Sequence, residues 1–172
     1  MLDWIPELLG KATSFVPRMV RVPPTHKLVK WPMCKDGVIC DNGIHWYWPL
    51  FTEIEEVDIR WVSTITYVQS VTLSDGVSVS ARGKLVWAPD DVLTLVEQNS
   101  DYEDRVSEIL LSAVVETLSP CRNEDLKTLE ALNFALTVVC RQKLEELGVA
   151  VESACFTELV NSPAFRLIND GS

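Results

Sequence analysis

Cys34, Cys40 and His45 are the residues of this chain whose types and spacing come nearest to a metal site. A zinc centre takes three or four Cys, His or carboxylate ligands. Two thiols with five residues between them and a single histidine after them match that pattern weakly, and two thiols without a metal fit better. The next candidates are Glu53, Glu55 and Glu56, because close carboxylates can divide acid and base roles. Glu53 and Glu55 fall on one face of an alternating segment, and no histidine or lysine converges on them, so a solvated strand face is the better reading. His26 follows a pair of prolines alone and reads as a loop residue. The chain has two histidines, no Gly-rich phosphate loop, no Gly-x-Ser-x-Gly and no His-Glu-x-x-His. The expectation is a protein that is not an enzyme and needs no cofactor and no metal.

The elements around these residues follow from periodicity. Val77, Val79, Ala81, Leu85 and Trp87 alternate with Ser78, Ser80, Arg82 and Lys84, the period of a half-buried strand. Tyr67, Val71 and Leu73 share one parity in the strand before it. A two-residue turn at Asp75-Gly76 would pair Ser74 with Val77 and mix the two faces. A three-residue loop, Ser74-Asp75-Gly76 with Gly76 left-handed, pairs Leu73 with Val77 and Val71 with Val79, and is expected.

Upstream, Lys27–Trp31 and Gly37–Cys40 read as short strands joined around Lys35-Asp36-Gly37. Residues 53 to 62 alternate as a strand, with a bulge expected at Glu55-Glu56. Downstream the period becomes helical. Pro89-Asp90-Asp91 opens a short helix through Glu97, and Asp101 is placed to cap a second that stops at Ser119-Pro120. A third begins near Asn123, with Leu126, Leu129, Leu132, Leu136, Val139, Lys143 and Leu147 on its inner face. Gly148 is expected to cap its C-terminus, and Val149–Phe156 returns as a strand. Strands, then helices, then one closing strand make an α+β domain with helices packed on one side of an antiparallel sheet.

Met1–Val22 has its own character. Met1, Ile5, Leu8, Ala12, Phe15 and Met19 recur at helical spacing, widened by Leu2, Leu9 and Val16, and Pro17 kinks or ends the helix. With Trp4 at one end and bases near the other, the segment fits an amphipathic helix lying in a membrane interface. On the residues alone a helix docked on the body or on a neighbouring subunit fits somewhat better. Val22-Pro23-Pro24-Thr25 is a stiff linker.

Charge sharpens the division. The net charge is −10, yet residues 11 to 35 hold six bases and no acid, whereas residues 36 to 172 hold nine bases and 23 acids. So acidic a body repels nucleic acid, which is not an expected partner. Five cysteines, an odd number at irregular spacing, fit a reducing compartment rather than a disulfide framework. No stretch reaches the roughly 18 apolar residues of a membrane span, and Asp3 and Glu7 stand where a secretory signal would carry bases.

Several motifs in order resemble one family. Gly43-Ile44-His45-Trp46 with Pro49, Glu56-Val57-Asp58-Ile59-Arg60, Leu73-Ser74-Asp75-Gly76-Val77-Ser78-Val79, Val86-Trp87-Ala88-Pro89-Asp90, Asp101-Tyr102-Glu103 and Leu147-Gly148-Val149-Ala150-Val151 together resemble the band 7, or SPFH, domain of stomatins, prohibitins and flotillins. Asn42 stands where that family usually has proline. The resemblance implies residues 1–22 as a membrane-associating or arm segment, 23–158 as the SPFH-like domain and 159–172 as a short tail. It implies a homo-oligomeric, ring-forming scaffold, peripheral on the cytoplasmic face of a membrane, with a membrane protease or channel as partner. The family's long coiled coil has no counterpart in Glu158–Ser172, so assembly would rest on the body and the N-terminal segment.

Under that resemblance Leu2, Trp4, Ile5, Leu8, Leu9, Phe15, Val16 and Met19 would insert, and Lys11, Arg18, Arg21, Lys27 and Lys30 would meet anionic headgroups. Trp46, Tyr47 and Trp48 become a bilayer-facing tip, or alternatively an aromatic cluster buried under the sheet. A soluble shell subunit with residues 1–22 as an inter-subunit arm is the rival assembly.

Overall fold

The computed structural model describes residues 16–33, 35–98 and 101–161. The expected membrane-facing residues Leu2, Trp4, Ile5, Leu8, Leu9, Lys11 and Phe15, and the candidate ligand Cys34, lie outside these. Among the described residues nine strands and three α-helices follow in order: β1 (Arg18–Val22), β2 (His26–Pro32), β3 (Val38–Cys40), β4 (Gly43–Tyr47), β5 (Thr52–Asp58), β6 (Val62–Ile65), β7 (Gln69–Thr72), β8 (Ser78–Pro89), α1 (Val92–Gln98), α2 (Tyr102–Leu118), α3 (Leu129–Glu145) and β9 (Val149–Asn161).

The largest sheet is built on β8. On one side β8 pairs with β9; on the other it pairs with β6 and then β7, all antiparallel. Val79, Ala81, Leu85 and Trp87 of β8 are buried, with Val71, Val151, Ala154 and Phe156 beside them, against Val106, Leu110, Ala113, Val114 and Leu118 of α2 and Leu132, Leu136, Cys140 and Leu144 of α3. The helices therefore cover one face, as the period-two pattern of β8 requires. Gly83 marks where α2 comes closest: a Cβ there would lie 2.8 Å from Val114 Cγ2. Burial also pushes the Cys140 thiol up to about 12. Cys140 is expected to resist maleimide in the folded protein at neutral pH and to react fully in denaturant, since the thiolate is the reacting species. Mass spectrometry of the labelled sites reads this directly.

The hairpin takes the expected three-residue loop. Val71 pairs with Val79 and Thr72 with Ser78, the Leu73 N–H donates to the Val77 carbonyl, and Gly76 is left-handed at φ 82°.

A second unit holds the N-terminal strands. β2 lies between β3 and β5. Val29 and Val57 on one face of this sheet pack with Val92 of α1, flanked by Trp31, Ile59, Leu93 and Val96. β1 and β4 form a two-stranded ribbon.

Four expectations need correction. Arg18–Val22 is a strand, so no helix reaches Val22, and Pro17 stands immediately before it. β5 pairs with β2 from Thr52 to Asp58 without a register break, so there is no bulge at Glu55-Glu56. The strand ends at Asp58 because Arg60 turns back on it. The guanidinium and then the backbone N–H of Arg60 hydrogen-bond the Asp58 carboxylate, holding its pKa down at about 2. Asp101 sits at the N-cap of α2 but its side chain makes no capping bond. Finally, Leu132, Leu136, Cys140 and Leu144 of α3 are buried, and Leu126, Val139 and Leu147 pack against the core as expected, but Leu129 is exposed and Lys143 pairs with Glu116.

Candidate membrane-facing tip

The ribbon register decides what each face presents. Met19 lies opposite Trp46 and Arg21 opposite Ile44, and opposed residues of an antiparallel pair share a face. All four are exposed, with Trp46 at 64%. The other face carries Val20, Val22, His45 and Tyr47, all at least half-buried, and is the one turned to the body. The chain passes directly from β4 into a tight turn, where Phe51 and Thr52 N–H both donate to the Trp48 carbonyl. Met33 N–H donates to the Phe51 carbonyl at 2.7 Å, bringing the end of β2 to the same turn. Trp48, Leu50, Phe51 and Met33 are exposed there, Trp48 at 48% and Phe51 at 52%. Trp46 and Trp48 are thus not a cluster buried under the sheet; Tyr47 alone is half-buried.

Bases border this surface. Arg21 shares the open ribbon face, Arg18 lies opposite Tyr47 on the other face but is exposed at the end of the ribbon, and Lys30 Nζ donates to the Trp46 carbonyl at 3.0 Å, tying ribbon to sheet. Lys27 is not with them. It lies on the face of β2 that carries Val29, where it helps to hold the Asp91 pKa down behind the stronger bonds from Thr94. Val16 is exposed. Sequence reading missed Met33, Ile44, Leu50 and Phe51; the signal was the unbroken apolar run Trp46–Phe51 around Pro49, too long for one buried face of a short strand.

Elsewhere, Glu53 and Glu55 face an open groove of about 580 Å³ with Trp31, Ile54, Val96 and Glu97. His45 Nε2 bonds the Asp41 carbonyl at 2.7 Å. Among the described residues no cluster of His, Cys, Asp or Glu has the makings of a metal site, and no helix is long and apolar enough to cross a membrane.

A β-rich unit with an apolar tip, joined to a sheet covered on one face by helices, makes an α+β domain of the SPFH type of fold. The chain matches the family described as SPFH domain / Band 7 family over residues 20–166, and it belongs to that family. Members are in general membrane-associated, commonly oligomeric and non-enzymatic. No curated protein matches the chain.

Proposed function

We propose that this protein is a non-enzymatic scaffold that self-assembles and attaches peripherally to the cytoplasmic face of a membrane, where it organises lipid or regulates a membrane protein. The observation that carries the reading is the exposed tip: Met19, Ile44, Trp46, Trp48, Leu50 and Phe51 beside Arg18, Arg21 and Lys30, in a chain that is otherwise acidic. Indole rings favour the bilayer interface, where apolar body and polar N–H are both accommodated. Each nearby base adds roughly 1 kcal/mol on an anionic surface. Leu2, Trp4, Ile5, Leu8, Leu9, Phe15 and Lys11 of residues 1–15 would add to the same attachment.

Vesicle flotation tests this. The wild type is expected to float with vesicles containing phosphatidylserine, less so at high salt. The combined change Trp46→Ser, Trp48→Ser and Phe51→Ser is expected to weaken binding more than about a hundredfold, since burying each aromatic is worth about 1.5–3 kcal/mol. Undiminished flotation of the triple variant rejects the tip. Loss only on removing residues 1–15 shifts attachment to that segment.

A further inference from the structure

The two edges of the β8 sheet are treated differently. The β9 edge is sealed by α3. Thr137 Oγ1 bonds both the N–H and the carbonyl of Ala154 at 3.0 Å, Asn133 Oδ1 accepts from Phe156 N–H, and Arg141 donates to the Val151 carbonyl. Strand edges present unpaired backbone groups, and proteins cover or charge them to stop unplanned pairing. Side chains of one helix do that here.

The opposite edge has no such cover. It runs from Val62 through β6 and β7 to Thr72, along β8 throughout. The β6 and β7 registers differ by one residue, which puts a bulge at Tyr67-Val68. Thr66 N–H donates to Gly83 and Leu73 N–H to Val77. Alternation then turns the backbone groups of Ser63, Ile65, Ser70 and Thr72 away from β8, and among the described residues no hydrogen bond reaches them. No charged residue occurs from Trp61 to Ser74, and the stretch is rich in Val, Ile, Thr, Tyr and Trp, the best strand formers. Trp61, Val62, Ile65, Tyr67 and Val68 are exposed along it, Tyr67 at 70% and Ile65 at 55%.

We propose that a second copy of this chain pairs with this edge, antiparallel about a two-fold axis passing by Tyr67 and Val68. That register sets β6 of one copy against β7 of the other. Ser63 faces Thr72 and Ile65 faces Ser70, so all four outward-turned residues find partners and the two sheets become one. The register selects a second copy as the occupant, because the outward-turned residues on either side of the bulge pair with those of an identical edge about one axis. Residues 36–172 carry a large acidic excess, so two copies repel over most of the body, and this uncharged edge is where they meet without like-charge opposition. The proposal deepens the self-assembly half of the function above and rests on that half alone.

Light scattering after size exclusion, without lipid, tests it on the full chain. The wild type is expected as a dimer or a multiple of one. Tyr67→Asp sets a carboxylate from each copy at the axis, and like charges so placed cost several kcal/mol, so dissociation constants should rise about a hundredfold or more. Ile65→Lys should act in the same direction. Both side chains are exposed, so circular dichroism should match the wild type. A Ser63→Cys, Thr72→Cys variant should form an intermolecular disulfide that the wild type does not. Unchanged mass in both folded variants overturns the proposal, as does a wild type that stays monomeric at about 100 µM, where even weak pairing is visible. Flotation separates the two readings: undiminished flotation of the tip variant with an intact dimer sinks the membrane tip and leaves this proposal standing, whereas a wild type that floats but stays monomeric without lipid overturns this proposal alone.

Discussion

Trp87→Ala is expected to remove about 3–5 kcal/mol of folding stability, a large fraction of the 5–15 kcal/mol that a domain has in total. Trp87 is 2% exposed near the C-terminal end of β8. Its ring meets Tyr102 of α2 edge to face at a centroid distance of 6.2 Å, and its indole N–H donates to Thr64 Oγ1 of β6 at 2.9 Å. One side chain thus joins three elements: the central strand, an edge strand and the first turn of the covering helix. Truncation would leave a cavity that these cannot all close, because β8 is held on both sides by its ladders. Trp87→Phe separates the contributions. It keeps most of the apolar contact and the edge-to-face pair but strands the Thr64 hydroxyl, a loss of about 1–2 kcal/mol. Urea unfolding followed by circular dichroism gives both numbers. A loss below about 1 kcal/mol for the alanine variant would show that the joint is redundant.

The parts of the fold legible in the sequence are those where one interaction dominates. The register of the β7–β8 hairpin was readable because a one-residue slip would bury Ser78 or Ser80, and the three-residue loop is the arrangement observed. The inner face of α3 was misread only at Leu129 and Lys143, while Leu126, Val139 and Leu147 do pack against the core. Leu126 belongs to a separate 3-10 turn, Asp125–Lys127, so the phase of the helix is set by Leu132 and the residues after it. The helical period of Met1–Val22 carried through Pro17 on Met19 alone. A β strand replaces it from Arg18 because β4 offers a ladder to pair with, a tertiary fact that local spacing does not contain. The tip was half legible: Trp46 and Trp48 stood out as interface-loving residues, but Met33 reaches it through the Phe51 carbonyl from another strand. The contrast between the two sheet edges was invisible for the same reason, since the sealing groups of α3 are ordinary Thr, Asn and Arg until β9 lies beside them.

Gly148→Ala is the second large effect, and Gly76→Ala is its internal control. Both glycines are left-handed, at φ 73° and 82°, a conformation that costs an L residue about 1–2 kcal/mol. They differ in what surrounds them. At Gly76 a Cβ would meet nothing within 4 Å, whereas at Gly148 it would lie 2.5 Å from the carbonyl oxygen of Asp91. That approach cannot relax alone, because the Gly148 carbonyl accepts the N–H groups of both Asp90 and Asp91, at 2.9 and 3.0 Å. Asp91 in turn accepts from the Thr94 N–H and hydroxyl at the start of α1. Gly148 is therefore where the end of α3, the start of β9 and the start of α1 are fastened together. Gly76→Ala should cost the strain alone, about 1–2 kcal/mol. Gly148→Ala should cost about 3–5 kcal/mol, the strain plus one or two hydrogen bonds of about 1–1.5 kcal/mol each and the displaced loop. Since Val92 of α1 packs on Val29 and Val57 of the N-terminal sheet, the Gly148 variant should also show faster amide exchange in Val92–Gln98, and the Gly76 variant should not. Equal losses at the two positions, with α1 exchange unchanged, would mean that the Asp91 approach yields without strain and that the two units are fastened elsewhere.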